Sequence, residues 1–326
     1  MRRTRQLRDA ARQLLGDSAP NTVPASAADE PDDAVGELAA AVERLSHLQT
    51  EVLLGTHPRR NRALDKAAQL QLALTYRELI AQGRPLPALR DVEMRFYSQN
   101  GEDGIVQLLL AAVGTETRKT VEICAGDGVE CNSANLIVNH GWTGLLVDGG
   151  DELVTTGRRF YEDGADTWYW PPTLLKSWVT RDNVNQLVTD AGFAGDIDVL
   201  TIDLDGVDYW IWDALDCVRS RVVIVEYNAG WGPEEAVTVP YSDSFAWEMG
   251  SQYFGASLAA MIKLGASKGY RFVGTHSYGF NAFFVRDDLG LEALPTADPR
   301  DWFWHPGTAR SARRLEAVRD REWVRV

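Results

Sequence analysis

Leu38, Val42, Leu45, Leu48 and Val52 recur three and four residues apart, and this spacing predicts an amphipathic helix over residues 34–54. The run His57-Pro58-Arg59-Arg60 breaks it, and a second helix is predicted over 62–82, ended by Pro85 and Pro87. Residues 1–16 read as a short basic helix, and 17–33, rich in Pro, Ser, Ala and Asp, as a linker. From about residue 90 the pattern changes. TVEIC (120–124), GLLVD (144–148), DVLTID (198–203) and RVVIVEY (221–227) are short apolar runs separated by helical or loop segments. Near-continuous apolar strands alternating with helices predict a parallel sheet covered on both faces. YRFVGTHS (270–277) and NAFFVRDDL (281–289) lie too close together for a crossover helix, so they must form an antiparallel hairpin.

This divides the 326 residues into a flexible basic segment and linker (1–33), a helical extension (34–90) suited to capping or homodimerisation, and an α/β domain (91–326). A net charge of −14 disfavours nucleic acid and anionic lipid as partners, and favours a neutral or cationic small molecule or an acid-lined metal site. Cys124, Cys131 and Cys217 are odd in number and fit no zinc spacing, so they read as reduced, mostly buried thiols. No apolar stretch reaches the length of a membrane span, and no apolar segment follows the basic N-terminus, so the expectation is a cytoplasmic protein.

The order of residues 120–148 is the first chemical signal. A strand ends at Cys124, Gly126 and Gly128 supply a tight turn, and a helix is predicted to begin near Ser133. Glu122 sits near that strand end, where a carboxylate can meet a cationic ligand group. Asp148 ends the next strand, the place of the acid that accepts two ribose hydroxyls in nucleotide-binding α/β folds. A dinucleotide site wants a third glycine and a loop that welcomes a diphosphate. This loop carries Asp127 and Glu130, which repel a diphosphate but tolerate a sulfonium and an α-ammonium group. The balance favours S-adenosylmethionine.

A parallel sheet ending in an antiparallel hairpin is the arrangement of class I methyltransferases, a Rossmann-like fold whose sheet has seven mostly parallel strands. FYSQNGEDGIVQLLL (96–110) with VEICAGDG…CNSANL resembles the FkbM-type S-adenosylmethionine-dependent methyltransferases. DVLTIDLDGVDYWIWDAL (198–215) and SWVTRDNVNQLV (177–188) resemble further segments of that family, with Asp205 where many relatives carry Glu. The likeness spans roughly residues 95–290, the size of one domain. It implies that Tyr97, Ser98 and Gln99 approach the methionine end of the cofactor, with Gly126 and Gly128 beneath it. It also implies ribose on Asp148 and adenine near Thr180 to Asn183. O-methylation of a natural-product, sugar or nucleoside-like acceptor is the implied activity. Read as ordinary helix architecture, SQNGED is an N-cap followed by first-turn acids, which accounts for Asn100, Glu102 and Asp103 but not for Gln99.

Asp203 and Asp205 close one strand, and Glu226 and Asn228 the next. Residues two apart in extended chain share a side, so the four are expected to converge at the sheet's C-terminal edge, as ligands for Mg²⁺. Metal-dependent O-methyltransferases are similar in the position of such acids. Otherwise Asp203 holds the cofactor and Asp205 caps a helix. His276, at the end of the first hairpin strand, is a candidate base alongside Asp203 and Asp205. The loop 226–258 carries Trp231, Tyr241, Phe245, Trp247 and Tyr253, expected to divide between an acceptor pocket and the core. Two other functions stay open at this level: a nicotinamide-dependent oxidoreductase, and a non-catalytic cofactor-binding scaffold that docks a partner through its N-terminal helices.

Overall fold

A computed structural model describes residues 62–326, all within one compact unit. The basic segment and linker expected over 1–33 and the helix expected over 34–54 lie outside the described residues. Helix α1 spans Arg62–Ala81 and is followed by Gly83, whose φ of +63° turns the chain before Pro85. It packs against α2 (Glu102–Val113), with Tyr76 buried in the same cluster as Ile105, Leu109 and Val92.

The strands follow the apolar runs. β1 is Lys119–Ile123, β2 Thr143–Asp148, β4 Gly195–Ile202 and β5 Val218–Glu226. Helix α3 (Ala134–His140) links β1 to β2, and Asp151–Glu162 forms α4. Val184–Asp190 (α5) and Asp208–Ala214 (α6) flank β4 in sequence, and Leu258–Ser267 (α7) follows the long loop. The hairpin is β7 (Tyr270–Thr275) with β8 (Asn281–Arg286). The seventh strand, β3, is Thr173–Lys176. The order across the sheet is β3-β2-β1-β4-β5-β8-β7, with β8 antiparallel to both neighbours and every other pairing parallel. This is the Rossmann-like class I methyltransferase arrangement expected from the hydrophobic pattern.

The alternation of side chains along β5 explains the layering. Val223 and Val225 face a core shared with α5, α6 and α7, while Val222 and Ile224 face a second core built on α1 and α2. Both faces are covered, so the strands are apolar throughout. A third cluster, with Leu146, Tyr161 and Leu174, seats α4 against β2 and β3. Beyond the sheet, α8 (Pro306–Leu315) packs on the turn Ala229–Trp231, and the short strands β6 (Val237–Thr238) and β9 (Val324–Arg325) pair antiparallel. What this architecture positions is an edge: β1, β2, β4 and β5 all end on the same side, where open α/β sheets bind ligands.

Candidate active site

A cavity of about 800 Å³ opens at that edge. Gly126 lies in its floor with φ +59°, and a Cβ built there would meet no atom within 4 Å, so the backbone is bare toward the cavity. Cys124, at the end of β1, holds a left-handed φ of +66°, a conformation that costs a non-glycine residue energy and recurs at ligand sites. Although Cys124 is an exposed residue, burial of its thiol, then the charge of Asp148, pushes that thiol well above the ordinary range. Asp148 ties the turn together: Oδ2 accepts from Gly126 N–H (2.9 Å) and Oδ1 from Gly150 N–H (2.7 Å). Oδ2 also accepts weakly from the Cys124 thiol (3.7 Å), while Oδ1 has room for a further donor at the cavity that Asp148 lines.

Glu122 also reaches the cavity wall, but its oxygens are engaged by the N–H groups of Asn132 (3.0 Å) and Ser133 (2.7 Å) at the start of α3. Burial raises its pKa, and the hydrogen bonds from Ser133 and Asn132 oppose that. A carboxylate therefore sits on the helix N-terminus that a dinucleotide diphosphate would need.

The acids converge as expected, with one exchange of partner. Carboxylate oxygens of Asp203, Asp205 and Glu226 lie within 4.8 Å of one another. Glu226 is 7% exposed, and its Oε2 is buried with no hydrogen-bond partner. Its carboxyl also faces Asp205, whose backbone N–H and carboxyl both lie beside it. Burial, followed by the charges of Asp208 and Asp205, drives Asp203 well above the usual carboxylate range. Burial, followed by the charge of Asp203, does the same to Glu226. Burial likewise lifts Asp208 to about 6, against the N–H groups of Leu204 and Gly206 that it accepts. Asp205 is exposed, holds φ +53°, and is raised by burial of its carboxyl and lowered by its bond to Glu226. A cluster this crowded with negative charge is stabilised by protons or by a cation.

Asn228, the expected fourth ligand, is not part of it. The chain leaves β5 at Glu226, and Asn228 instead caps the turn Ala229–Trp231. Its Oδ1 accepts from Gly230 N–H and Gln252 Nε2 (3.0 Å each), and its Nδ2 donates to the carbonyls of Gln252 and Phe254. All of its hydrogen-bonding capacity is used in pinning the loop. Asn281, which was not expected, is the register partner of Glu226 across the β5–β8 pair, lines the cavity, and has a buried Oδ1 without a partner.

His276 is a second correction. It is fully buried and does not line the cavity. Its Nδ1 accepts from Tyr278 N–H (3.3 Å), so Nε2 carries the proton toward the Asn100 carbonyl (3.0 Å) and the Glu93 carboxylate (3.4 Å). Both ring nitrogens hold loops together. Of Tyr97, Ser98 and Gln99, only Gln99 reaches the cavity. The N–H groups of Phe96, Tyr97 and Ser98 converge on Asp103 Oδ2 (2.7–2.9 Å), and Ser98 Oγ accepts from Asp103 N–H, so this stretch is largely the entry to α2. Gly128 packs against Leu146 and Tyr161 under the turn, not in the cavity. Thr180 and Asn183 bond to each other at the start of α5, outside the cavity lining. Among the loop aromatics, Trp247 lines the cavity. Tyr241 and Phe245 pack against Trp210 and Gly206, while Trp231 and Tyr253 stack on Trp323.

Sequence reasoning missed Asn281, Glu102 and Arg314. Glu102 Oε1 accepts from Asn281 Nδ2 (3.3 Å), and Arg314 reaches the mouth of the cavity from α8, bonded to the Gly250 carbonyl. The only local signal for Asn281 was a polar residue opening a strand whose next four residues are apolar.

Among the described residues no helix is long and apolar enough to cross a membrane. No protein-family model matches the chain, and neither does any curated protein. Solved structures do resemble it. One is a magnesium protoporphyrin IX methyltransferase from Synechocystis PCC 6803 with bound SAM, 15% identical, covering 56% of this chain and 77% of that one, with a TM-score of 0.36. Another is an S-adenosylmethionine-dependent methyltransferase from Clostridium acetobutylicum ATCC 824, 10% identical over 53% and 85%, with a TM-score of 0.34. A third is the glycopeptide N-methyltransferase MtfA with S-adenosyl-L-methionine, 10% identical over 53% and 83%, with a TM-score of 0.32. Likeness at this level carries nothing about activity, which has to be argued from the cavity.

Proposed function

We propose that the chain is an S-adenosylmethionine-dependent methyltransferase acting on a small molecule, with oxygen as the methylated atom and a divalent cation, Mg²⁺ in kind, at the acid cluster. The observation that carries the reading is the floor of the cavity: bare Gly126 backbone beside Asp148, under an acidic wall. Asp148 Oδ1 can accept a ribose hydroxyl, and Oδ2 a second one in place of the long, weak contact from the Cys124 thiol. Asp203, Glu102 and Glu122 make the wall favourable to a ligand carrying an ammonium and a sulfonium and hostile to a diphosphate. The nicotinamide alternative fails on Glu122, which already covers the α3 N-terminus. When bound, S-adenosylmethionine supplies an electrophilic methyl group.

The cluster suits a hard cation because its donors are all oxygens and two buried ones, Glu226 Oε2 and Asn281 Oδ1, have no donor. When bound, such a cation lowers the pKa of an acceptor oxygen. The remaining residues bind and orient. Trp247, Phe254 and Phe280 shape the far side of the cavity and exclude water, and Arg314 brings positive charge to the mouth. The resemblance of 96–110 and 121–136 to FkbM-type enzymes agrees with this reading and with an acceptor of natural-product, sugar or nucleoside type.

Calorimetric titration of the full chain with S-adenosylmethionine and with NAD⁺ is the direct test. Saturable binding of the first and none of the second is expected. Binding of NAD⁺ alone would overturn the reading. Binding of S-adenosylmethionine with no S-adenosylhomocysteine formed on any acceptor tried would favour the scaffold instead.

A further inference from the structure

A second cavity, of about 350 Å³, lies between α1, α2 and α3 and shares no lining residue with the first. Its lining is opposite in charge to the first. Lys66 and Arg77 enter from α1 and Arg118 from the loop before β1, and among the described residues none of the three makes an ion pair or hydrogen bond through its side chain. In a chain of net charge −14, three cations around one hollow with no counter-ion among the described residues are unexpected. Lys66 and Arg118 stand near enough to His140 to oppose its protonation, after burial, which is the larger cause. The negative ends of α2 and α3 attract cations at this side of the sheet, and that alone could place Lys66 and Arg118.

It does not explain the polar floor. Asp103 and Gln107 lie one turn apart on α2, are 2% and 8% exposed, and line the cavity. Asp103 Oδ1 and Gln107 Oε1 are both buried acceptors without a partner. Around them the amides are otherwise satisfied. Gln69 exchanges hydrogen bonds with Asn135 (2.9 and 3.1 Å) and receives one from His140 Nε2 (2.7 Å), while Gln107 Nε2 donates to the Gln69 carbonyl. Two orphaned acceptors in a network this complete are a demand for donors. Leu70, Leu136 and Trp142 supply apolar wall between the two polar regions.

From this arrangement we infer that the α1–α2–α3 cavity is a second ligand site, which takes a small organic anion bearing hydroxyl groups. Lys66 and Arg118 hold its phosphate or carboxylate, the hydroxyls donate to Asp103 Oδ1 and Gln107 Oε1, and its carbon frame lies on Leu136 and Trp142. The volume is that of a monosaccharide-sized ligand pocket. The site is independent of the methyl-transfer reading, because none of its residues lines the larger cavity.

The test uses the full chain in calorimetric titrations with glucose 6-phosphate, gluconate and uncharged glucose. At least one anion should bind saturably at a single site and glucose should not. Whichever anion binds more tightly identifies the anionic group. Lys66→Ala and Arg118→Gly should each weaken binding about tenfold. Lys66 is an exposed side chain, and glycine is at home at the φ of +52° that Arg118 holds, so both variants keep the fold. Gln107→Leu should weaken the hydroxylated anion but not inorganic phosphate. Glu226→Gln, in the other cavity, should change nothing here. Absence of binding by both anions up to ~10 mM, or binding indifferent to both Lys66→Ala and Arg118→Gly, overturns the inference.

Discussion

Glu226 and Asn281 stand opposite each other across the β5–β8 pair, both line the same cavity, and each has a buried oxygen without a donor. Opposed residues on one face of an antiparallel pair normally complement each other. Here two acceptors lie in register, and a proton on Glu226 or a donor or cation from outside the chain would complete them.

If that partner is a divalent cation, Glu226→Gln should abolish Mg²⁺ binding measured by calorimetry and lower turnover at least about a hundredfold. S-adenosylmethionine affinity should change little, because the proposed cofactor site lies at Asp148 and Gly126. Turnover that survives exhaustive EDTA treatment of the native chain would remove the metal from the scheme.

Asp148→Ala should weaken S-adenosylmethionine by about 1.5–3 kcal/mol, the usual loss for a charged hydrogen-bond partner. It should also destabilise the protein by about 1–3 kcal/mol, since the Gly126 and Gly150 N–H groups lose their acceptor. A stability loss with unchanged affinity would make Asp148 a turn-holding residue only.

Gly126→Ala and Gly192→Ala form a matched pair. Both glycines have left-handed φ, +59° and +80°, and neither has an atom within 4 Å of a built Cβ. Each substitution should cost about 1 kcal/mol of stability through backbone strain. Only Gly126→Ala should weaken S-adenosylmethionine, because only that Cβ enters the cavity. Equal affinities in the two variants would move the cofactor off Gly126.

Stability should fall as pH rises through the weakly acidic range. Burial has raised Asp208 and Asp103 to about 6 in the folded chain, against about 4 when unfolded. Between those values the native state binds more protons than the unfolded one, so raising pH favours unfolding. A shift of about two units is worth on the order of 3 kcal/mol per group. The melting temperature should therefore be higher near pH 5 than near pH 7.5. Mg²⁺ should recover more of it at the higher pH, where the cluster carboxyls are ionised. A flat or rising profile would contradict the crowded-carboxylate account.

The sheet was legible because its strands are buried on both faces. Val222 to Val225 feed two cores in alternation, which leaves an unbroken apolar run that the sequence displays. Strand β3 has four residues at the sheet edge and only one fully buried side chain, so it left no comparable run. Gly126, Asp148, Asp203 and Glu226 were found because each sits at or just beyond a strand end, a local property. Asn281 was not, because its place beside Glu226 depends on β8 inserting between β5 and β7, some 55 residues further along the chain. Asn228 misled for the complementary reason: the two-residue rule holds only while the strand continues, and β5 stops at Glu226.

His276 is where the sequence and the structure part most sharply, and the difference can be measured. A histidine at the end of a strand on the ligand edge invites the role of base, and losing such a base costs roughly 10²–10⁴-fold in turnover. In the fold the ring is fully buried, its Nδ1 is occupied by Tyr278 N–H, and its Nε2 proton points to the Asn100 carbonyl and the Glu93 carboxylate. Glu93 in turn accepts from Ser277 N–H (2.8 Å) and Oγ (2.6 Å). The ring thus fastens the β7–β8 turn to the segment that carries Gln99. His276→Ala should leave the Asn100 carbonyl and the Glu93 carboxylate short of a donor and open a cavity, destabilising the fold by about 2–4 kcal/mol. Assayed well below its melting temperature, the variant should keep kcat within about tenfold of the native value. Any loss should fall mainly on the affinity for ligands that Gln99 touches. A drop of a thousandfold in kcat with native stability would restore His276 as the base and require it to leave both of its loop contacts during turnover.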